Sequence, residues 1–248
     1  MNNFTTLQEA GSTAIVYTPH AQAVSAALFH GTGCAPLSSE GRGQVYRFPC
    51  GDDWGVLRRC QRGGLPGLFL QDQYLLRNRP LEEFQVHVAL HEKGVPCPEP
   101  LGVLWEKRGP LYRGALATRL IEGASLQALL SGDVTNSPLD SALHAAGEAV
   151  RTLHEVGGLH ADLHPANILV ARGQAYLIDF DRARILAALT PGQRASNLLR
   201  LRRAFVKHGF ALPHFDAFMQ GYGIPPGSGF WQGALAAVHE AAVKPKKQ

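Results

Sequence analysis

A chain of 248 residues with 45% hydrophobic content can fill one large domain or two small lobes, which excludes a disordered protein. Its 27 Gly and 16 Pro interrupt it too often for one long helical bundle. Lys and Arg (24) slightly exceed Asp and Glu (20), a net charge of +4 that permits an anionic substrate or membrane surface without implying nucleic acid.

No apolar run approaches the ~18 residues that span a bilayer. The opening MNNFTTLQEAGSTAIVYTPH lacks a basic start followed by an apolar stretch, so no secretory signal is expected. Cys34, Cys50, Cys60 and Cys97 have neither CxxC spacing nor a nearby His partner. They are expected to be free thiols in a reducing compartment.

In chain order, TAIVY (13–17) is a short β-type run. QVYRF (44–48) and WGVLRRC (54–60) flank the turn cluster PCGDD as an expected hairpin, with Gly41-Arg42-Gly43 just before it. Pro80 suits the first turn of a helix through LEEFQVHVALHEK, with acidic residues near its positive end and Gly94 as its stop. VPCPEP must be an extended connector, and LGVLWE and YRGALATRLIE are two further strands. The first part is therefore expected to be a small, mostly antiparallel sheet with one helix.

From Ser125 the character changes. SLQALL and LDSALHAAGEAVRTLHEVGG are helical. NILV (167–170) and AYLIDF (175–180) are β-runs joined by ARGQ. SNLLRLRRAFVKHG, with Ser196 as its cap, PHFDAFMQGYG and WQGALAAVHEAAVK return to helix. The expected division is a lobe of residues 1–122 and a mainly helical lobe of residues 123–248, an α+β chain.

The chemistry concentrates in His160-Ala-Asp162-Leu-His-Pro-Ala-Asn167 and the YLIDFD run. A hairpin about the ARGQ turn sets residue 167 opposite residue 178, so Asn167 and Asp179 emerge at the same end of the ribbon. One amide and one carboxylate oxygen suit a hard cation such as Mg²⁺ carrying phosphate oxygens. Asp162, five residues earlier, is positioned to orient a hydroxyl and accept its proton. A base and two metal ligands at this spacing make a phosphoryl-transfer apparatus, with Ala161 and Asp181 where a protein kinase has Arg and Gly. His160, Asp162 and His164 alternatively read as H-x-D-x-H, a zinc spacing.

Such a site needs a cation on a strand and a helix carboxylate to hold it. The first 92 residues contain no Lys, so Arg58 is the expected phosphate holder. Alternation sets it on the same face as Val56, which would lie over the nucleotide base. Glu83 is its expected partner, and Gly41 and Gly43 the turn over the nucleotide. Arg58, Arg59, Arg62, Arg182, Arg184, Arg200, Arg202 and Arg203 together suit an anionic acceptor. Arg62, beside a Gly pair, and Arg182, beside the metal loop, are the chosen acceptor contacts. No Ala-Pro-Glu motif follows DFD, which favours a compact acceptor over a peptide.

GRG, LRRCQRGG (57–64), EEF (82–84), VPCPEP (95–100), HADLHPANIL (160–169), LIDFDRARI (177–185) and NLLRLRRAF (197–205) together resemble the 3-deoxy-D-manno-octulosonic acid (Kdo) kinases. The similarity runs from about residue 41 to residue 206. It implies a bilobal protein-kinase-like fold and ATP- and Mg²⁺-dependent phosphorylation of a Kdo hydroxyl. The acceptor would be a lipid A precursor, in building the lipopolysaccharide inner core. It further implies a peripheral protein at the cytoplasmic face of the bacterial inner membrane, with no nucleic acid among its partners. By position Asp162 becomes the base, and Asn167 and Asp179 the metal ligands. His164-Pro165 departs from the family's pattern and is more like the aminoglycoside and choline kinases, so a soluble small-molecule kinase is the alternative. The missing Lys also leaves a pseudokinase binding module open.

Overall fold

The structure is a computed structural model and describes residues 3–38, 45–60, 74–75, 77–109, 111–134, 138–224 and 229. It divides into two units, Met1–His91 with Pro98–Leu120, and Glu92–Cys97 with Ile121–Gln248.

In the first unit, β1 (Phe4–Glu9) and β2 (Ser12–Tyr17) form a hairpin turning at Ala10-Gly11, both at positive φ. Then come α1 (Ala21–His30), β3 (Ala35–Ser38), β4 (Val45–Cys50) and β5 (Asp53–Arg59). β6 (Tyr74–Leu75), α2 (Arg79–Glu92), β7 (Pro100–Arg108) and β8 (Leu111–Arg119) complete it. One antiparallel sheet runs β1-β2-β7-β8-β5-β4-β3, with β6 paired to β8. The β4–β5 hairpin turns at Gly51-Asp52, so both strands extend further into PCGDD than expected.

The expectation of a single helix here is corrected by α1. Its sequence AQAVSAALFH is Ala-rich and closes on Gly31 in the left-handed region, but lacks a strong apolar stripe. Val24, Ala27 and Leu28 of α1 pack with Ala14, Val16, Leu57, Ala115 and Ala117 on one face of the sheet. Phe84 and Val88 of α2 pack with Val103 and Leu116, joined by Ile15, on the other. Strand alternation thus gives each face its own helix.

The second unit begins with β9 (Ala124–Ser125) and α3 (Leu126–Ser131), where Ser125 Oγ accepts the Ala128 N–H at 3.1 Å. Then follow α4 (Leu139–Glu155), β10 (Gly158–Leu159), a 3₁₀ turn (Pro165–Asn167), β11 (Ile168–Ala171) and β12 (Gln174–Leu177). β13 (Arg184–Ile185), α5 (Pro191–Lys207) and α6 (Leu212–Tyr222) complete the described elements. β9, β11 and β12 form one small antiparallel sheet, and β10 pairs with β13. The extended connector joins this unit, because Pro96 C=O accepts the Leu177 N–H at 2.8 Å.

Helices α4 and α6 cross closely. A Cβ at Gly147 would stand 2.1 Å from the Phe218 carbonyl, and one at Gly221 2.0 Å from that of His144. α5 starts earlier than expected. Thr190 Oγ1 accepts the Gln193 N–H while Gln193 Oε1 accepts the Thr190 N–H, a reciprocal cap. Ser196 is therefore inside the helix, not its cap. The segment WQGALAAVHEAAVK lies outside the described residues.

Candidate active site

The hairpin that carries the site has the register the sequence implies. Ile168 pairs with Leu177, Leu169 with Tyr176, Val170 with Ala175, and Ala171 with Gln174. The turn residues Arg172 and Gly173 are both at positive φ. Beyond the last ladder pair, Asn167 C=O accepts the Ile178 N–H at 3.1 Å. Asp179 follows at φ +63, a left-handed conformation uncommon for a residue other than Gly and frequent at functional sites.

The loop before the hairpin is built around buried groups. His160 is fully buried, and its Nε2–H donates to the Ile178 carbonyl at 2.9 Å. Its Nδ1 accepts the Asp162 N–H at 3.2 Å. These contacts fix one neutral tautomer, and burial holds its pKa below the usual histidine value. The zinc alternative fails here, since both ring nitrogens of His160 are already taken.

Asn167 Nδ2 donates to the Asp162 carbonyl at 2.9 Å, which ties the two ends of the loop together. His164 Nδ1 accepts the Ala166 N–H at 3.2 Å and Pro165 opens the 3₁₀ turn. The His-Pro pair therefore has a local capping task in this loop.

The Asp162 carboxylate stays 65% exposed, with Arg200 Nη1 donating to Oδ1 at 3.4 Å and His164 Nε2 3.5 Å from Oδ2. It borders a cavity of about 660 Å³ whose walls also include Asp179, Asp181, Arg182, Arg184 and Arg200. Arg182, itself at φ +57, holds its Nε 3.8 Å from Asp181 Oδ2.

In the first unit, Arg58 Nη2 donates to Glu83 Oε1, joining β5 to α2. Glu83 is only 9% exposed, so the pair is partly shielded from solvent screening. Leu57 packs toward α1, which turns Val56 and Arg58 to the α2 face. Gly41, Gly43 and Arg62 lie outside the described residues.

The loop is supported from beneath by residues outside the expected site. Asn197 Nδ2 donates to the His160 carbonyl at 2.7 Å, and its Oδ1 accepts the His160 N–H at 3.3 Å. His154 Nε2–H also donates to Asn197 Oδ1 at 3.0 Å, while His154 Nδ1 accepts from the Tyr222 hydroxyl at 2.8 Å. The available signal was a polar stripe, Gln193, Ser196, Asn197 and Arg200, at helical spacing on α5.

A model of the lipopolysaccharide kinase (Kdo/WaaP) family matches residues 35–222. The chain belongs to the lipopolysaccharide kinase (Kdo/WaaP) family. The 3-deoxy-D-manno-octulosonic acid kinase of Stenotrophomonas maltophilia is 36% identical over 185 residues, covering 71% of this chain and 72% of that one. The kinase of the same name from Xylella fastidiosa is 33% identical over 177 residues, covering 69% and 70%. A solved structure titled "WaaP in complex with acyl carrier protein" aligns with a TM-score of 0.53 at 16% identity. That alignment covers 91% of this chain and 92% of the other. The likeness is one of fold: this Kdo/WaaP family member has the protein-kinase-like α+β architecture, with an antiparallel sheet in one unit and a mainly helical second unit.

Proposed function

We propose that this protein transfers the γ-phosphoryl group of ATP to a hydroxyl of a Kdo residue on a lipid A precursor. The observation that carries this function is the loop-and-hairpin geometry. Asn167 is bonded to the Asp162 carbonyl, and the hairpin register sets Asp179 one residue past the partner of Asn167. Membership of the family and the named activity of its relatives support the choice of acceptor.

Asp162 orients the acceptor hydroxyl and takes its proton as the new P–O bond forms and ADP departs. The donors left for a cation are all oxygen. Asn167 turns its NH₂ to the loop, which leaves its amide oxygen and the Asp179 carboxylate as the oxygen donors, a set that fits Mg²⁺. When bound, Mg²⁺ neutralises charge on the phosphate oxygens. Arg58, braced by Glu83, grips phosphate oxygens, and Val56 lies against the base. Arg62 and Arg182 meet phosphates of the lipid-linked acceptor.

A lipid-linked acceptor calls for work at the cytoplasmic face of the bacterial inner membrane as a peripheral protein. Among the described residues no helix is long and apolar enough to cross a membrane. Each Lys of the KPKK segment near anionic lipid would add about 1 kcal/mol of attraction.

The test is mass spectrometry of a Kdo-bearing lipid A precursor after incubation with the protein, ATP and Mg²⁺. A phosphate-sized gain located on the sugar acid is expected. An unchanged acceptor mass overturns the proposal.

A further inference from the structure

The cavity beside Asp162 has a wall with no assigned task. Gln193, Ser196 and Arg200 all line it, and their spacing of three and then four residues sets them on one side of α5. The reciprocal cap at Thr190 starts the helix early enough to bring Gln193 and Ser196 into that wall. Asn197, between them, is bonded to both backbone groups of His160, so this face is pinned to the loop that carries Asp162.

Arg184 closes the wall from β13. Its backbone is fixed opposite Leu159, three residues before Asp162. Arg200 already meets Asp162, and Arg182 already meets Asp181. Arg184 makes no ion pair among the described residues, and its exposed guanidinium borders the cavity. A cavity of about 660 Å³ falls within the range of ~300–1,000 Å³ typical of small-ligand sites.

We propose that Arg184, with Ser196 and Gln193, forms the subsite for the acceptor's sugar acid. Arg184 takes the carboxylate through two parallel N–H donors, and Ser196 and Gln193 bond the neighbouring hydroxyls. The identity of the acid rests on the function proposed above. The arrangement selects an acidic sugar over a neutral one, because a neutral sugar would leave the guanidinium desolvated and without its anion.

The experiment compares wild type, Arg184→Gln and Ser196→Ala, using the Kdo-bearing lipid A precursor and its carboxyl methyl ester. Acceptor KM, ATP KM and acceptor binding without ATP are measured for each. In wild type the ester should raise the acceptor KM about tenfold, the effect of one charge-assisted pair. Arg184→Gln should raise it similarly with the free acid, show no further penalty with the ester, and leave the ATP KM unchanged. Ser196→Ala should weaken acid and ester alike. An unmoved acceptor KM in Arg184→Gln overturns the subsite. An ester penalty that survives in that variant also overturns it, showing that Arg184 meets a lipid phosphate instead. If wild type binds the acid through Arg184 but transfers no phosphate, the proposed function falls and the subsite stands.

Discussion

Asn197 pairs with both backbone groups of His160, donating to its carbonyl at 2.7 Å and accepting its N–H at 3.3 Å. A side-chain amide here does what a neighbouring strand would do. β10 ends at Leu159, so beyond that point the chain has no ladder partner to hold it. The loop that ends on Asp162 is therefore held from α5, and the His160 ring then holds the Asp162 N–H.

Asn197→Ala should loosen this loop. It removes two bonds to buried backbone groups and one to His154, and an unsatisfied buried polar group costs about 1–3 kcal/mol. Urea unfolding should show a loss of that size, with kcat falling more than ATP affinity. Wild-type stability in this variant would mean that His160 is held by other contacts.

Asp162→Ala should behave in the opposite way. The carboxylate is mostly exposed, and removing it leaves no buried group without a partner. Stability should stay within about 0.5 kcal/mol of wild type, while turnover with ATP falls about 10²–10⁴-fold. Turnover at the wild-type rate in a folded Asp162→Ala protein would remove Asp162 from the role of base.

Those two residues mark what was legible in the sequence. Asp162, Asn167 and Asp179 stand at motif spacings, and the hairpin register followed from the position of one turn. Arg58 and Glu83 followed from strand alternation and a helix whose start was signalled by Pro80. Asn197, His154 and Tyr222 come from three separate helices and meet only after packing, so no local spacing announces them. α1 is hard to read because an Ala-rich segment gives little periodic contrast, and the Thr190–Gln193 cap, not Ser196, sets where α5 begins.

Arg58 and Glu83 should act as a unit. Glu83 is 9% exposed and the Arg58 side chain 32%, so their attraction is only partly screened. Arg58→Lys keeps the charge but loses the planar fork, and should raise the ATP KM about tenfold, near 1.4 kcal/mol. Glu83→Gln should raise it through a less well oriented guanidinium. The double variant should be less impaired than the sum of the two, with coupling of about 0.5–3 kcal/mol. Strict additivity in ATP KM would show that Glu83 does not position Arg58.

His154 should make the fold sensitive to mild acid. Its ring is fully buried and both nitrogens are used in the neutral form, Nε2–H toward Asn197 and Nδ1 toward Tyr222. Burial is the main cause that lowers its pKa from 6.5 to about 4, helped by nearby Arg194 and opposed by the Asn197 bond. As pH falls through 6.5 the unfolded chain takes up a proton that the folded chain refuses until about pH 4. The contribution is thus complete above pH 6.5 and is lost on the way down to 4, about 3 kcal/mol in all and about 2 kcal/mol by pH 5. His87, whose Nε2–H donates to the Pro98 carbonyl at 2.8 Å, is lowered to about 4 chiefly by burial and adds a parallel slope. Urea unfolding at pH 7 and pH 5 should therefore show a marked loss of stability in wild type. His154→Gln has no ionisable ring, so its loss over the same interval should be smaller by about 2 kcal/mol. An equal loss in both proteins would mean that His154 is already protonated in the native state, with Tyr222 accepting from its ring instead of donating to it.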